Sequence, residues 1–114
     1  MSKIDDPTRL KHMRDAAVEA LGFIAGCNRQ SLDNNRMLVF ALVRAIEIIG
    51  EAAANVSSDC RNKYPQIPWV DIIGMRNRLV HAYFDIDLDI LWNTATTKLE
   101  PLIEQLDSII SLET

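Results

Sequence analysis

The stretch RMLVFALVRAIEIIGEAAA, residues 36–54, decides the fold. Stepping about 100° per residue puts Arg44, Glu47 and Glu51 on one narrow polar stripe. Leu38, Val39, Leu42, Val43, Ala45, Ile46, Ile49, Ala52 and Ala53, with their apolar neighbours, cover most of the remaining surface. An apolar surface this wide exceeds the single stripe of a helix lying on one core. Such a helix is either central in a bundle, or gives one side to the core and another to a second subunit. Gly50 costs about 1 kcal/mol against alanine in a helix interior, so its presence predicts a close helix crossing.

The flanking sequence supplies partners of the same kind. Asp6-Pro7 reads as an N-cap followed by proline at the first helical position. Leu10, Met13, Ala17, Ala20, Leu21 and Ile24 then fall on one stripe, with Lys11, Asp15 and Glu19 opposite, until Gly26-Cys27-Asn28 ends the helix. Arg29–Asn35 reads as a polar loop. Ser57-Ser58-Asp59 starts a short helix ending near Tyr64-Pro65. Pro68 opens the next, with Asp71 in its first turn, where the helix dipole favours an anion; this helix is expected to run to Tyr83-Phe84. Asp87 caps a last helix, with Ile86 and Leu91 placed as a hydrophobic staple. Pro101 removes the hydrogen bond to Thr97 and should kink or split that helix. The expectation is an all-α, up-and-down bundle of four main helices plus a short one, without strands, forming one domain over residues 1–114.

Composition sets the outer bounds. Hydrophobic residues make up 48% and charged residues 25%, which fits a globular domain and excludes a disordered chain. Glycine and proline, four each, and aromatics at 6% favour aliphatic helix packing over a β-sandwich. Cys27 and Cys60 form no Cys-x-x-Cys pair and read as reduced thiols. Lys3, Asp5, Asp6 and Arg9 interrupt any N-terminal apolar region, and the longest uncharged stretch, Ala20–Asn28, falls far short of a membrane span. A cytoplasmic protein is expected. The net charge is −4, but it is unevenly spread. Residues 61–81 carry Arg61, Lys63, Arg76 and Arg78 against Asp71, a local +3. Residues 85–114 carry seven carboxylates against Lys98, a local −6. A small basic island suits a local phosphate site, not the extended face that DNA binding needs.

Within that island lies Arg76-Asn77-Arg78-Leu79-Val80-His81-Ala82-Tyr83. A guanidinium can hold a phosphate, and an imidazole can move a proton near neutral pH. On a helix over residues 70–83, Arg76 and Tyr83 lie within about 20° of each other and Asn77 and His81 about 40° apart, while Arg78 points away. The residues by themselves also admit plainer roles. Arg76 could pair with a carboxylate of the last helix, His81 could be structural, Tyr83 could be an amphipathic helix-end residue, and Arg78 a solvated charge or RNA contact. His12 reads as exposed, Trp69 and Trp92 as core or interface packing, and the Arg44/Glu47/Glu51 stripe as intrahelical pairing.

Arg-Asn-x-x-x-His followed by x-Tyr resembles the signature of the HEPN superfamily, in particular its HepT-type toxins. The resemblance extends along the chain through Arg9-Leu10-Lys11-His12-Met13, Ile49-Gly50-Glu51-Ala52-Ala53, Ile67-Pro68-Trp69, Tyr83-Phe84-Asp85-Ile86-Asp87, Leu91-Trp92 and Leu99-Glu100-Pro101-Leu102. It implies a HEPN-like bundle and a homodimer whose motif helices face each other. It also implies metal-independent endoribonuclease activity without a cofactor, with RNA as substrate. Arg76 and His81 would be catalytic, Asn77 would position the phosphate, and Tyr83 would accept AMP from a minimal nucleotidyltransferase antitoxin. The same resemblance admits another class, a catalytically inactive HEPN module that binds nucleotide or partner within a nucleotidyltransferase complex.

Overall fold

The computed structural model describes residues 4–82 and 85–114 and is an all-α bundle. Four long helices build it: α1 (Asp6–Ile24), α3 (Arg36–Asn55), α5 (Trp69–Leu79) and α7 (Leu99–Glu113). Short helices α2 (Arg29–Asn34), α4 (Ser58–Lys63) and α6 (Leu88–Asn93) join them. The stretch 36–54 is central, one of the two placements its apolar width allows: α3 packs against α1 on one side and α5 on another, and α7 closes on α1. Leu10, Met13, Ala17 and Ala20 of α1 are buried with Leu42, Ile46 and Ile49 of α3 and Leu106 and Ile109 of α7. Even so, α3 leaves Met37 and Phe40 exposed, with the Arg36 guanidinium 4.9 Å from the Phe40 ring centroid.

Gly50 marks a helix crossing. A β-carbon there would lie 3.3 Å from the backbone oxygen of Ile72 and 3.7 Å from that of Ile73, so α3 and α5 meet backbone to backbone. Pro101 acts as its missing N–H demands. The chain passes from α6 through a π-helical turn, Thr94–Lys98, and re-enters the α register at Leu99, so proline falls in a first turn where no donor is needed.

Four local expectations are corrected. Asp5, not Asp6, caps α1, its carboxylate accepting the Thr8 N–H at 2.9 Å, and Pro7 follows Asp6 within the first turn. Asp6 is drawn elsewhere: it accepts the backbone N–H of Ser57 at 2.9 Å and its hydroxyl at 2.6 Å, tying α1 to the start of α4. Arg29–Asn34 is a helix rather than a loop. Asn28 and Ser31 form a capping box, Leu32 is buried, and Arg29 pairs with Asp33 and Asp89. The motif helix stops at Leu79, and a short antiparallel ribbon follows, β1 (Val80–Ala82) against β2 (Asp85–Ile86). Val80 is β-branched and a poor helix former, and the Leu79 carbonyl accepts the Asp87 N–H at 2.7 Å instead of continuing the helix.

At the far end of the bundle, Glu113 accepts the Tyr64 hydroxyl and the Lys63 ammonium, binding α7 to α4. The tyrosine donation first, then the lysine, hold its carboxyl below the ordinary glutamate range, so the clamp is charged at neutral pH.

The glycines give a direct stability test. Among the described residues no packed neighbour lies within 4 Å of a β-carbon built on Gly22 of α1, so Gly22→Ala should raise unfolding free energy by up to about 1 kcal/mol. Gly50→Ala should show none of that gain, and Gly50→Leu should cost roughly 1–3 kcal/mol by forcing the helices apart. Denaturant titration reads all three; a gain at Gly50 equal to that at Gly22 would contradict a tight crossing.

Candidate functional site

The candidate residues sit where α5 ends and β1 begins. Arg76, Asn77 and Arg78 occupy the last turn of α5, where cations complement the helix dipole. His81 lies on β1, so the helical angle relating it to Asn77 does not apply. The AMP-acceptor candidate Tyr83 lies outside the described residues. Arg76, Asn77 and His81 are all at the surface, with the Arg76 side chain 51% and the His81 side chain 56% accessible.

Each catalytic candidate is met by a carboxylate. The Nε of Arg76 donates to Oε2 of Glu47 on α3 at 3.1 Å. Arg76 is therefore paired with the central helix, not with the last one. Glu47 is only 26% accessible, so it is the anchored partner and Arg76 the oriented one. With Nε engaged, the two terminal nitrogens of the guanidinium form the edge available to a phosphate. Of the polar stripe on α3, only Arg44 and Glu51 pair within the helix, at 3.6 Å. His81 approaches Asp87: Nε2 lies 3.8 Å from Oδ2, too far for a hydrogen bond. The other carboxylate oxygen, Oδ1, accepts the Ile90 N–H at 3.0 Å and caps α6. One aspartate thus fixes a helix start and faces the histidine, brought there by the ribbon. Among the described residues no hydrogen bond or ion pair joins Arg76 to His81 within the chain.

Arg78 lies on the other flank of α5, its Nη2 donating to the Asp71 carbonyl at 2.8 Å and its Nη1 lying 3.4 Å from the Asp71 carboxylate. His12 is exposed, Trp69 is buried and Trp92 half-buried. Cys60 is buried and Cys27 half-buried, and both are free. Among the described residues no group of three or more His, Cys, Asp or Glu is placed to hold a metal ion, and no helix is long and apolar enough to cross a membrane.

Glu47 is the residue that sequence reasoning assigned to the wrong partner. Its signal was available in Gly50: a crossing there brings the residue one turn earlier on α3 over the residue one turn later on an antiparallel α5.

The fold defines the class first: an all-α bundle that exposes an arginine, an asparagine and a histidine where α5 ends and β1 begins. The chain belongs to the ribonuclease HepT-like family, whose model matches residues 13–109. It is 39% identical over 92 residues to "Putative RNase MJ1380" of Methanocaldococcus jannaschii, a match covering 81% of this chain and 84% of that protein. It is 32% identical over 110 residues to "Putative RNase MJ1216" of the same organism, covering 96% and 91%. Over 55 residues it is 49% identical to "Probable ribonuclease HepT" of Thermococcus cleftensis, covering 48% and 50%. No solved structure matches the chain.

The Arg76–Glu47 pair is half-exposed and should contribute little to stability. A double-mutant cycle of Arg76→Gln and Glu47→Gln, read by denaturant unfolding, is expected to give a coupling below about 1 kcal/mol. A coupling of several kcal/mol would make the pair a structural element and remove its orienting role.

Proposed function

We propose that this chain is a metal-independent endoribonuclease and the toxin of a toxin–antitoxin pair, acting as a homodimer. The observation that carries the reading is the exposed Arg76, Asn77 and His81 where α5 passes into β1, with Arg76 held by Glu47 and His81 facing Asp87, in a chain of the ribonuclease HepT-like family. His81 takes the proton of a ribose 2′-hydroxyl, whose oxygen then attacks the adjacent phosphorus. Arg76 stabilises the charge that develops on the phosphorane oxygens, and Asn77 donates to the phosphate. The bond to the 5′-oxygen breaks, that oxygen is protonated, and a 2′,3′-cyclic phosphate remains on the other fragment. Asp87 faces the imidazole, and Glu47 holds the guanidinium in place.

A second copy completes the site in this reading. Val70, Gly74 and Asn77 follow one another at i, i+4 and i+7, on one face of α5. Val70 is 85% exposed, and among the described residues no packed neighbour lies within 4 Å of a β-carbon at Gly74. A flat face with a glycine at its centre lets two α5 helices approach closely, placing two sets of motif residues across a twofold cleft.

Purified protein should cleave RNA in EDTA, and His81→Ala or Arg76→Ala should lower the rate by at least about 10²-fold. Gly74→Arg, whose β-carbon meets no packed neighbour among the described residues, should reduce dimer and cleavage together in sedimentation and cleavage assays. Undiminished cleavage by His81→Ala rejects its role. A wild-type protein that cuts no RNA yet still binds its nucleotidyltransferase supports the inactive binding module instead.

Silencing in this reading comes from a minimal nucleotidyltransferase that transfers AMP from ATP to Tyr83. The added phosphates would compete for Arg76 and fill the cleft. Incubation with that enzyme, ATP and magnesium should add multiples of the AMP residue mass to the protein by mass spectrometry. No gain in mass, or a gain that persists in Tyr83→Phe, rejects Tyr83 as acceptor.

A further inference from the structure

The flank of α5 opposite Arg76 borders a cleft of about 570 Å³ between that helix and the π-helical turn. Its apolar lining comes from Ile46 and Ile49 of α3 and Ile72 and Met75 of α5. Its polar lining is of two kinds. Asn93, Thr97 and Gln105 bring amides and a hydroxyl, and Arg78 and Lys98 bring two cations against the single carboxylate of Asp71. This is a cationic rim on a chain of net charge −4.

The volume falls within the range of small-ligand sites, roughly 300–1,000 Å³. The chemistry narrows the occupant. An aliphatic floor suits a flat, weakly polar body, amides that donate and accept suit the edge of a base, and the two cations suit a phosphate. Arg78 is already oriented by the Asp71 carbonyl at 2.8 Å. The π-helical turn places Thr97 and Lys98 at the cleft, and that turn exists because Pro101 cannot donate to Thr97. Met75 and Arg78 stand about 100° and about 160° around α5 from Arg76, on a helix of about 10–12 Å diameter. Arg76 and Arg78 share the last turn of α5, so a strand held at Arg76 can pass the end of that helix and lay a neighbouring nucleotide into the cleft.

We propose that this cleft holds one unpaired nucleobase of the RNA substrate, with an adjoining phosphate on Arg78 and Lys98. The inference rests on the ribonuclease reading and deepens it: the substrate is RNA presenting an unstacked base beside the cleaved bond.

The test uses the full chain and a fluorescent single-stranded RNA ten nucleotides long, with binding read by anisotropy in the His81→Ala background and cleavage read in the active protein. Thr97 and Lys98 are exposed, so Thr97→Trp fills the cleft and Lys98→Glu reverses its charge without touching the core. Each should raise Kd and KM about tenfold while kcat stays within about twofold. Lys11→Glu, an equal charge change on exposed α1, should leave both constants near their starting values. Equal Kd for wild type and Thr97→Trp overturns the cleft even if cleavage is robust. Cleft-dependent binding without cleavage by the wild type overturns the nuclease reading and leaves the cleft standing. Saturation by 5′-AMP with RNA binding indifferent to Thr97→Trp would assign the cleft to a free nucleotide and overturn the RNA proposal.

Discussion

The close passage of α3 over α5 at Gly50 is the constraint on which the site depends. With a backbone oxygen 3.3 Å from the position a β-carbon would take, the two helices lock at a fixed separation and register. They run antiparallel, so Glu47, one turn before Gly50, comes over Arg76, one turn after Ile72. A larger residue at position 50 would move α5 outward, and the 3.1 Å contact between Arg76 and Glu47 would open first. The orientation of an exposed guanidinium is thus set by the absence of a side chain at a helix crossing. The charge pair itself is too exposed to hold the helices together.

Two helix terminations place the rest. The end of α5 at Leu79 hands its carbonyl to Asp87, and the ribbon that results returns Asp87 to face His81. The capping duty of Asp87 fixes one oxygen on Ile90, which leaves the other directed toward the imidazole. Further on, Pro101 forces the π-helical turn that opens the cleft on the other flank of α5. Both devices are breaks in regular structure, and both gather polar groups that an unbroken helix would have spread around its circumference.

Much of this was legible in residues alone, wherever the signal was local. The apolar width of residues 36–54, the stripe from Leu10 to Ile24, the glycine crossing, the N-cap at Asp87 and the disruption by Pro101 each follow from neighbours within two turns. The misreadings share a cause. Asp6 was a reasonable cap until Ser57, fifty-one positions away, claimed its carboxylate. Arg29–Asn34 looked too polar for a helix, yet one buried leucine and an ion pair to Asp89 suffice. Arg76 offered several acidic partners by composition, and only the register of two helices selects Glu47. Periodicity describes one helix at a time and is blind to partners fixed by packing.

The same packing redraws the charge map. By sequence, residues 85–114 are an acidic block and residues 61–81 a basic island. In the fold, Arg29 reaches Asp89, Arg14 reaches Asp107 and Lys63 reaches Glu113, so cations from earlier helices offset much of the acidic tail. Within the island, Arg76 and Arg78 are each matched by a carboxylate. The surface field is accordingly weaker than the local sum of charges suggests, and long-range attraction of polyanions is modest. In the proposed reading, affinity for RNA then comes from short-range contacts: a guanidinium edge already aimed, a base seated on aliphatic side chains, and a second copy supplying the same set again. An enzyme arranged in this way selects RNA by the geometry of one or two nucleotides rather than by bulk charge. On the same proposal silencing is simple, because a few phosphates placed beside Arg76 would occupy most of what the substrate would use.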